Sequence, residues 1–230
     1  MQNLPIATIY KEEIKYMPWG VLIGEVASFC IDSIPQKGTV IDLLCGAGSL
    51  LGMLKEKRSD VSYTGLDFEA EYIEHDKTQY SNIEFILADA TKWESALKYD
   101  TVLCTAGLHH LSFDKQEAFI KKISELIKDD GFAIVADPYI DDFSNESERE
   151  IAGAKLGYEY LAETIRNGAP KNIVEAAITV LSNDVLGVEY KNSTKKIKPL
   201  FEKYFSSVEM HKTWPKEETE YGDYYFILKN

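Results

Sequence analysis

Val40-Ile41-Asp42-Leu43-Leu44-Cys45-Gly46-Ala47-Gly48 is the stretch on which the reading of this chain turns. Thr39–Cys45 is an apolar run broken by one acid, the pattern of a strand buried on both faces. It runs straight into a Gly46-Ala47-Gly48 turn, and Ser49–Lys57 then reads as a helix. Two glycines let the backbone pass close to a ligand and take dihedrals that a Cβ penalises. A helix starting there aims free N–H groups at whatever lies above the turn. Such a turn on its own serves equally well as a ligand loop or as a plain tight connection.

Working outward, the same strand–helix rhythm continues. Trp19–Ile34 is a helical pattern that precedes the first strand and is broken by Pro35 and Gly38. Val61–Leu66, Ile83–Leu87, Asp100–Thr105 and Phe132–Ala136 read as further strands, with helices over Glu69–Gln79 and Asp114–Lys128. Asp129-Asp130-Gly131 stops the last of these helices. From Asp141 the rhythm changes. Glu146–Arg166 reads as a long amphipathic helix with Ile151, Ala154, Tyr158, Leu161 and Ile165 as its apolar stripe, and Ile173–Leu181 as a second helix. A helix near Ile197–Tyr204 and strands near Val208–His211 and Tyr224–Leu228 follow, the two strands close enough to pair antiparallel. The expected architecture is a single α/β domain over 1–230. It is doubly wound and Rossmann-like, with a mostly parallel seven-stranded sheet, an antiparallel C-terminal strand, and a helical insert over 141–195 that covers the substrate side.

Bulk properties narrow the function classes. A formal charge of −13 opposes nucleic-acid binding, which rests on clustered cations. The Lys191–Lys198 run, with four lysines, reads as a solvated loop and helix start. No apolar stretch reaches membrane-spanning length, and Cys30, Cys45 and Cys104 read as reduced, buried thiols. The expectation is a cytoplasmic protein without membrane or nucleic-acid partners; the oligomeric state is left open.

Two more acids stand at strand ends. Gly65-Leu66-Asp67 closes the second strand and Leu87-Ala88-Asp89-Ala90 the third. Ligands of open α/β sheets bind at the carboxyl edge, where a carboxylate beside the glycine turn can accept from ribose hydroxyls. With these segments in place, the chain resembles the class I S-adenosylmethionine-dependent methyltransferase family from about Trp19 to Tyr139, and more loosely at the C-terminal strand pair. IDLLCGAG resembles the family's first motif, GLD its second-strand acid, LADA its adenine-side segment, YDTVLCTAGLHHL its fourth strand and loop, and LIKDDGFAIVADPY its fifth strand. One departure stands out: Leu44 occupies a position where the family commonly has glycine, and it is expected to lie still within the strand.

The resemblance implies S-adenosyl-L-methionine as cofactor and a role for each matching position. Gly46 and Gly48 would pass beneath the methionyl and ribose portions. Asp42 would orient the loop and hold the methionyl ammonium. Asp67 would take the ribose hydroxyls with Phe68 against the adenine. Asp89 and the Ala90 backbone would meet the exocyclic amine, Thr105 would offer a carbonyl to the ammonium, and Tyr16 would close over the cofactor. His110, and less strongly His109, are the candidate catalytic bases, since imidazole titrates near neutrality; either also serves as a residue that shapes the loop. No further His or Cys has ligand-like spacing, so no metal is expected. Asp137-Pro138-Tyr139 reads as a loop opening the substrate side. The expected reaction is methyl transfer to an O, N or C nucleophile of a small molecule. A protein side-chain acceptor and a non-methylating cofactor-binding relative are the alternatives. A nicotinamide dehydrogenase is disfavoured, because Leu51 stands where a third glycine belongs.

Overall fold

A computed structural model describes residues 7–230. Helices α1 (Ala7–Glu13) and α2 (Trp19–Ser33) lead into β1 (Thr39–Leu43), α3 (Ser49–Lys57), β2 (Ser62–Asp67), α4 (Ala70–Gln79), β3 (Glu84–Leu87) and β4 (Tyr99–Thr105). A 3-10 turn at Leu108–His110, α5 (Phe113–Leu126) and β5 (Ile127–Tyr139) follow. Then come α6 (Glu146–Arg166), α7 (Lys171–Val185), α8 (Thr194–Tyr204), β6 (Ser207–Trp214) and β7 (Gly222–Lys229). The strands form one sheet in the order β3-β2-β1-β4-β5-β7-β6. β1 through β5 pair in parallel, and β7 runs antiparallel to both β5 and β6. This is the expected doubly wound sheet with its reversed C-terminal strand.

Period-two alternation assigns the two faces. Phe132, Ile134 and Ala136 of β5 point into one core with α2, α3 and the inner sides of α6 and α7. Ala133 and Val135 point into the other with α5 and α8. The strand order reverses between β1 and β4, which opens a crevice at their carboxyl ends, the place where such sheets hold ligands.

Several expectations are corrected. α1 was not foreseen. α5 stops at Leu126 rather than running to Lys128, and β5 begins at once. The β4–β5 register jumps from Tyr99↔Ile127 to Thr101↔Phe132, so Lys128–Gly131 bulge out of the strand. Asp137-Pro138-Tyr139 is not a loop but the end of β5, paired with Tyr224, Asp223 and Gly222 of β7. α6 presents a different face from the one its periodicity implied: Ile151, Tyr158 and Ile165 are exposed. The packed face carries Arg149, Ala152, Gly153, Leu156, Gly157 and Tyr160. Small residues set this choice. A Cβ on Gly157 would lie 2.9 Å from the Leu181 Cα of α7, so the two helices meet backbone to backbone there. No helix among the described residues is long and apolar enough to cross a membrane, and the three cysteines are buried and unpaired.

Candidate active site

β1 ends at Leu43, and the chain reverses at Leu44 (φ +66°), Gly46 (+52°) and Gly48 (+61°). Leu44 is therefore outside the strand, contrary to expectation. It holds a left-handed conformation that costs a non-glycine residue about 1–2 kcal/mol. Gly107, in the loop after β4, makes room for it: a Cβ there would come within 2.9 Å of the Leu44 Cβ. The Leu44 side chain packs against the α5-side core. Gly48 turns the other way. A Cβ on it would stand 2.9 Å from Asp76 Oδ2 and 3.2 Å from the Phe85 ring, so it fits the loop onto α4 and β3 rather than facing a ligand. Gly48→Ala should destabilise the fold by about 1–3 kcal/mol, combining positive-φ strain with that contact. Urea denaturation reads this directly, and an unmoved midpoint would contradict it.

The turn is clamped by Asp67. Its Oδ2 accepts from the Gly46 N–H at 2.9 Å and its Oδ1 from the Glu69 N–H at 2.9 Å. Burial pushes this carboxyl up, while the N–H groups of Glu69, Gly46 and Phe68 pull it back. Asp42 lies beneath, fully within the protein, and its Oδ1 has no hydrogen-bond partner. Burial, with Asp67 and Asp76 adding their charge, pushes it up to about 8. An orphaned buried carboxyl of this kind is costly to ionise unless a cation answers it.

Above the turn is a cavity of about 290 Å³, walled by Tyr10, Gly46, Asp67, Phe68, Asp89 and His110 among others. Phe68 exposes its ring at the rim. Asp89 Oδ1 accepts from the Thr91 N–H (3.0 Å) and hydroxyl (2.6 Å), and Lys92 Nζ lies 2.9 Å from Oδ2. The Thr91 hydroxyl, then Lys92, hold Asp89 down to about 2. Ala90, Thr105, Asp42 and Gly48 stand behind this wall rather than in it. Tyr16 is not at the site: it packs against the α2-side core, and its carbonyl accepts from Asn167 Nδ2 at 2.8 Å. Tyr10, from the unforeseen α1, takes the covering position. A Cβ on Gly46 would sit 3.7 Å from the Tyr10 ring.

A second cavity, of about 340 Å³, lies under α1, α6 and α7. Apolar groups such as Met17, Trp19 and Leu156 form most of its wall, with Glu13, Asp184, Glu189 and Lys191 among its polar members. Tyr10, Ala106 and His110 border both cavities, so the two chambers share a partition.

The two histidines divide their roles. His109 Nδ1 lies 2.7 Å from Asp137 Oδ1, and the His109 N–H donates to Oδ2 at 2.9 Å. Burial pushes its pKa down, but the charge and hydrogen bond of Asp137, with Glu189 beyond, outweigh that and hold it above the ordinary value. The His110 ring is 4.0 Å from it, centroid to centroid, and its Nδ1 has no partner. Burial and the neighbouring His109 push His110 down to about 3. His109, His110 and Glu189 also bring one ligand-type atom each within 4.8 Å of one another. Glu189 already faces the Lys191 ammonium at 2.5 Å, and His109 is bonded to Asp137. The trio is therefore part of an ion-pair network.

Lys191 corrects the sequence reading most plainly. It is buried, not solvated, and its Nζ lies 2.5 Å from both Asp184 Oδ1 and Glu189 Oε2. Only the remainder of that lysine run behaves as expected, opening α8 behind the Ser193 cap.

Residues 40–131 match a family described as a methyltransferase domain. They hold the strand, the turn and the clamp just described. This stretch is thus similar to a methyltransferase domain over two-fifths of the chain. Among curated proteins, N-methyltransferase 4 of Papaver somniferum is 32% identical over 124 residues, covering 49% of this chain and 34% of that protein. The chain thus spans about a third of that relative's length. Solved structures extend the likeness of fold beyond the methyltransferase domain's matched residues. A plantazolicin methyltransferase solved with SAH aligns over 97% of this chain and 90% of its own, at TM-score 0.65 and 11% identity. The SAH-bound magnesium protoporphyrin IX methyltransferase of Synechocystis PCC 6803 aligns over 91% and 82%, at 0.59 and 17%.

Sequence reasoning missed Tyr10, Glu13, Asp184, Glu189 and Lys191 in the candidate site. A carboxylate three residues after a tyrosine, on one helical face, was the available signal for the first two.

Proposed function

We propose that this chain transfers a methyl group from S-adenosylmethionine to a small-molecule acceptor. The observation that carries this reading is the shared partition. A cavity over the glycine turn, with Asp67 and Asp89 in its wall, and a second under the helical cover meet at Tyr10, Ala106 and His110. Methyl transfer needs such an arrangement, with donor and acceptor in adjoining chambers and water excluded between them. Relatives named as acting on small molecules, such as the (S)-tetrahydroprotoberberine N-methyltransferase of Eschscholzia californica, support it.

The residues present fit the cofactor. Asp42, from beneath the turn, would favour the methionyl ammonium by its charge rather than by lining the cavity. Asp67 would accept from the ribose hydroxyls with the lone pairs its N–H partners leave free. Phe68 would lie on the adenine, and Asp89 and the Ala90 backbone would meet the exocyclic amine. When bound, the sulfonium supplies an already activated methyl group. The chain's own work is to bind, to align the nucleophile and to keep water out. The covering helices α6 and α7 suit an enclosed acceptor better than a macromolecular surface.

Calorimetry with S-adenosylmethionine, S-adenosylhomocysteine and NAD tests the reading. The first two should bind and NAD should not; heat from NAD alone would overturn it. Asp67→Ala should weaken S-adenosylhomocysteine binding by about 1–3 kcal/mol, the cost of losing a buried charged hydrogen bond. An unchanged dissociation constant would remove Asp67 from the site.

A further inference from the structure

The acceptor chamber contains one carboxyl that nothing in the fold accounts for. Glu13, the last residue of α1, is 4% exposed, lines the chamber, and has no side-chain hydrogen bond or ion pair to any described residue. Its surroundings are apolar and aromatic, with Met17 and Trp19 in the same wall and Tyr10 one turn before it. The other acids of that wall are already answered or lie at its edge. Asp184 and Glu189 share Lys191, and the exposed Glu175 pairs with Lys171. The chamber's cations are equally committed, Lys191 to those two acids and His109 to Asp137. No cation among the described residues lining the chamber is left for Glu13.

A buried, unpaired carboxyl costs several kcal/mol when ionised, and side chains are seldom left so without a ligand to answer them. Burial is the sole cause acting on Glu13, and it pushes the group up to about 8. A cation entering the chamber would bring it back to the ionised form. Aromatic faces beside it would add cation–π attraction.

From this geometry we infer that the acceptor chamber selects an amine carried as its ammonium ion on an apolar, ring-sized body, with the Glu13 carboxylate as its counter-ion. The inference rests on the proposed methyl-transfer reading and narrows it to nitrogen-bearing acceptors, the ammonium proton passing to the Glu13 carboxylate so that the freed lone pair takes the methyl group. An alcohol or carboxylate acceptor would leave Glu13 unanswered, or repelled by a second negative charge. The chamber's volume of about 340 Å³ admits a bicyclic amine.

The test compares two probes of the same shape, 1,2,3,4-tetrahydroisoquinoline, cationic at neutral pH, and isochroman, its neutral ether counterpart. Each is titrated calorimetrically at pH 7 into the full chain saturated with S-adenosylhomocysteine. The amine should bind at least about tenfold more tightly than the ether. In Glu13→Gln that preference should vanish while isochroman affinity stays the same. Glu13→Asp, which keeps the charge, should retain a preference for the amine and guards against a Gln variant that disturbs the wall. Equal affinities in the wild type, tighter ether binding, no amine binding at millimolar concentration, or a preference that survives in Glu13→Gln would each overturn the inference. Failure of S-adenosylhomocysteine itself to bind would instead overturn the methyl-transfer reading beneath it.

Discussion

Replacing Lys191 by methionine should destabilise the fold by about 3–5 kcal/mol, the largest loss expected of any single substitution here. The ammonium is fully buried and answers two carboxylates at 2.5 Å, one from the end of α7 and one from the loop before α8. Methionine conserves the stem and removes only the charge, leaving Asp184 and Glu189 without the ammonium between them and only His109, 3.8 Å from Glu189, in its place. Glu189 is buried, which raises its pKa, yet Lys191 and then His109 and His110 hold it down to about 2. Its native contribution is therefore present above the ordinary glutamate range and lost as pH falls toward 2. In the variant the sign reverses for Glu189, while Asp184, already pushed up by burial, loses the ammonium that opposed that rise. Both carboxyls would titrate above their unfolded values, so the deficit should be greatest near neutrality and shrink as acid protonates them. Chemical denaturation at pH 7 and pH 5 reads this. An equal deficit at both values, or a loss below 1 kcal/mol, would mean that water or a neighbour replaces the ammonium.

His110→Ala should lower turnover in the proposed methyl transfer by about two orders of magnitude, with cofactor affinity nearly unchanged. Its ring stands in the partition between the chambers, and neither ring nitrogen has a hydrogen-bond partner among the described residues. Of the two tilted imidazoles, His109 is the one that favours a proton, because Asp137 and Glu189 support it. His110, pushed down to about 3, stays neutral throughout the physiological range and keeps a lone pair to offer. That suits it to accept a hydrogen bond from the nucleophile and orient it. A low proton affinity makes it a weaker store for the proton itself. The rate should consequently show no limb near pH 6–7 that disappears in His110→Ala. Near-wild-type turnover would assign the residue to loop structure alone.

The sheet and the glycine turn were legible because strands buried on both faces read as continuous apolar runs, each ending in a recognisable turn. Asp67, Asp89 and Gly46 were reachable by the same route, since the carboxyl ends of those strands converge at the switch between β1 and β4, whereas Phe68 and His110 rested on the family resemblance. What escaped lay where contacts are set by tertiary packing. α1 has seven residues, too few to show a helical period, yet it supplies Tyr10 and Glu13. α6 packs through glycine and alanine, so the larger apolar side chains that periodicity tracks were the outward ones. Lys191 looked solvated because four lysines crowd its run; its two partners become visible only once α7 folds back beside it. Leu44 looked like a strand residue because apolar character says nothing about the sign of φ.

Tyr10 carries one last implication. A single phenol ring forms part of the wall of both chambers, so the rotamer that suits one occupant is the rotamer the other must accept. Filling either chamber then changes the affinity of its neighbour, and thermodynamic linkage requires the same factor in both directions. Donor and acceptor would communicate through one side chain, with no wider rearrangement of the sheet.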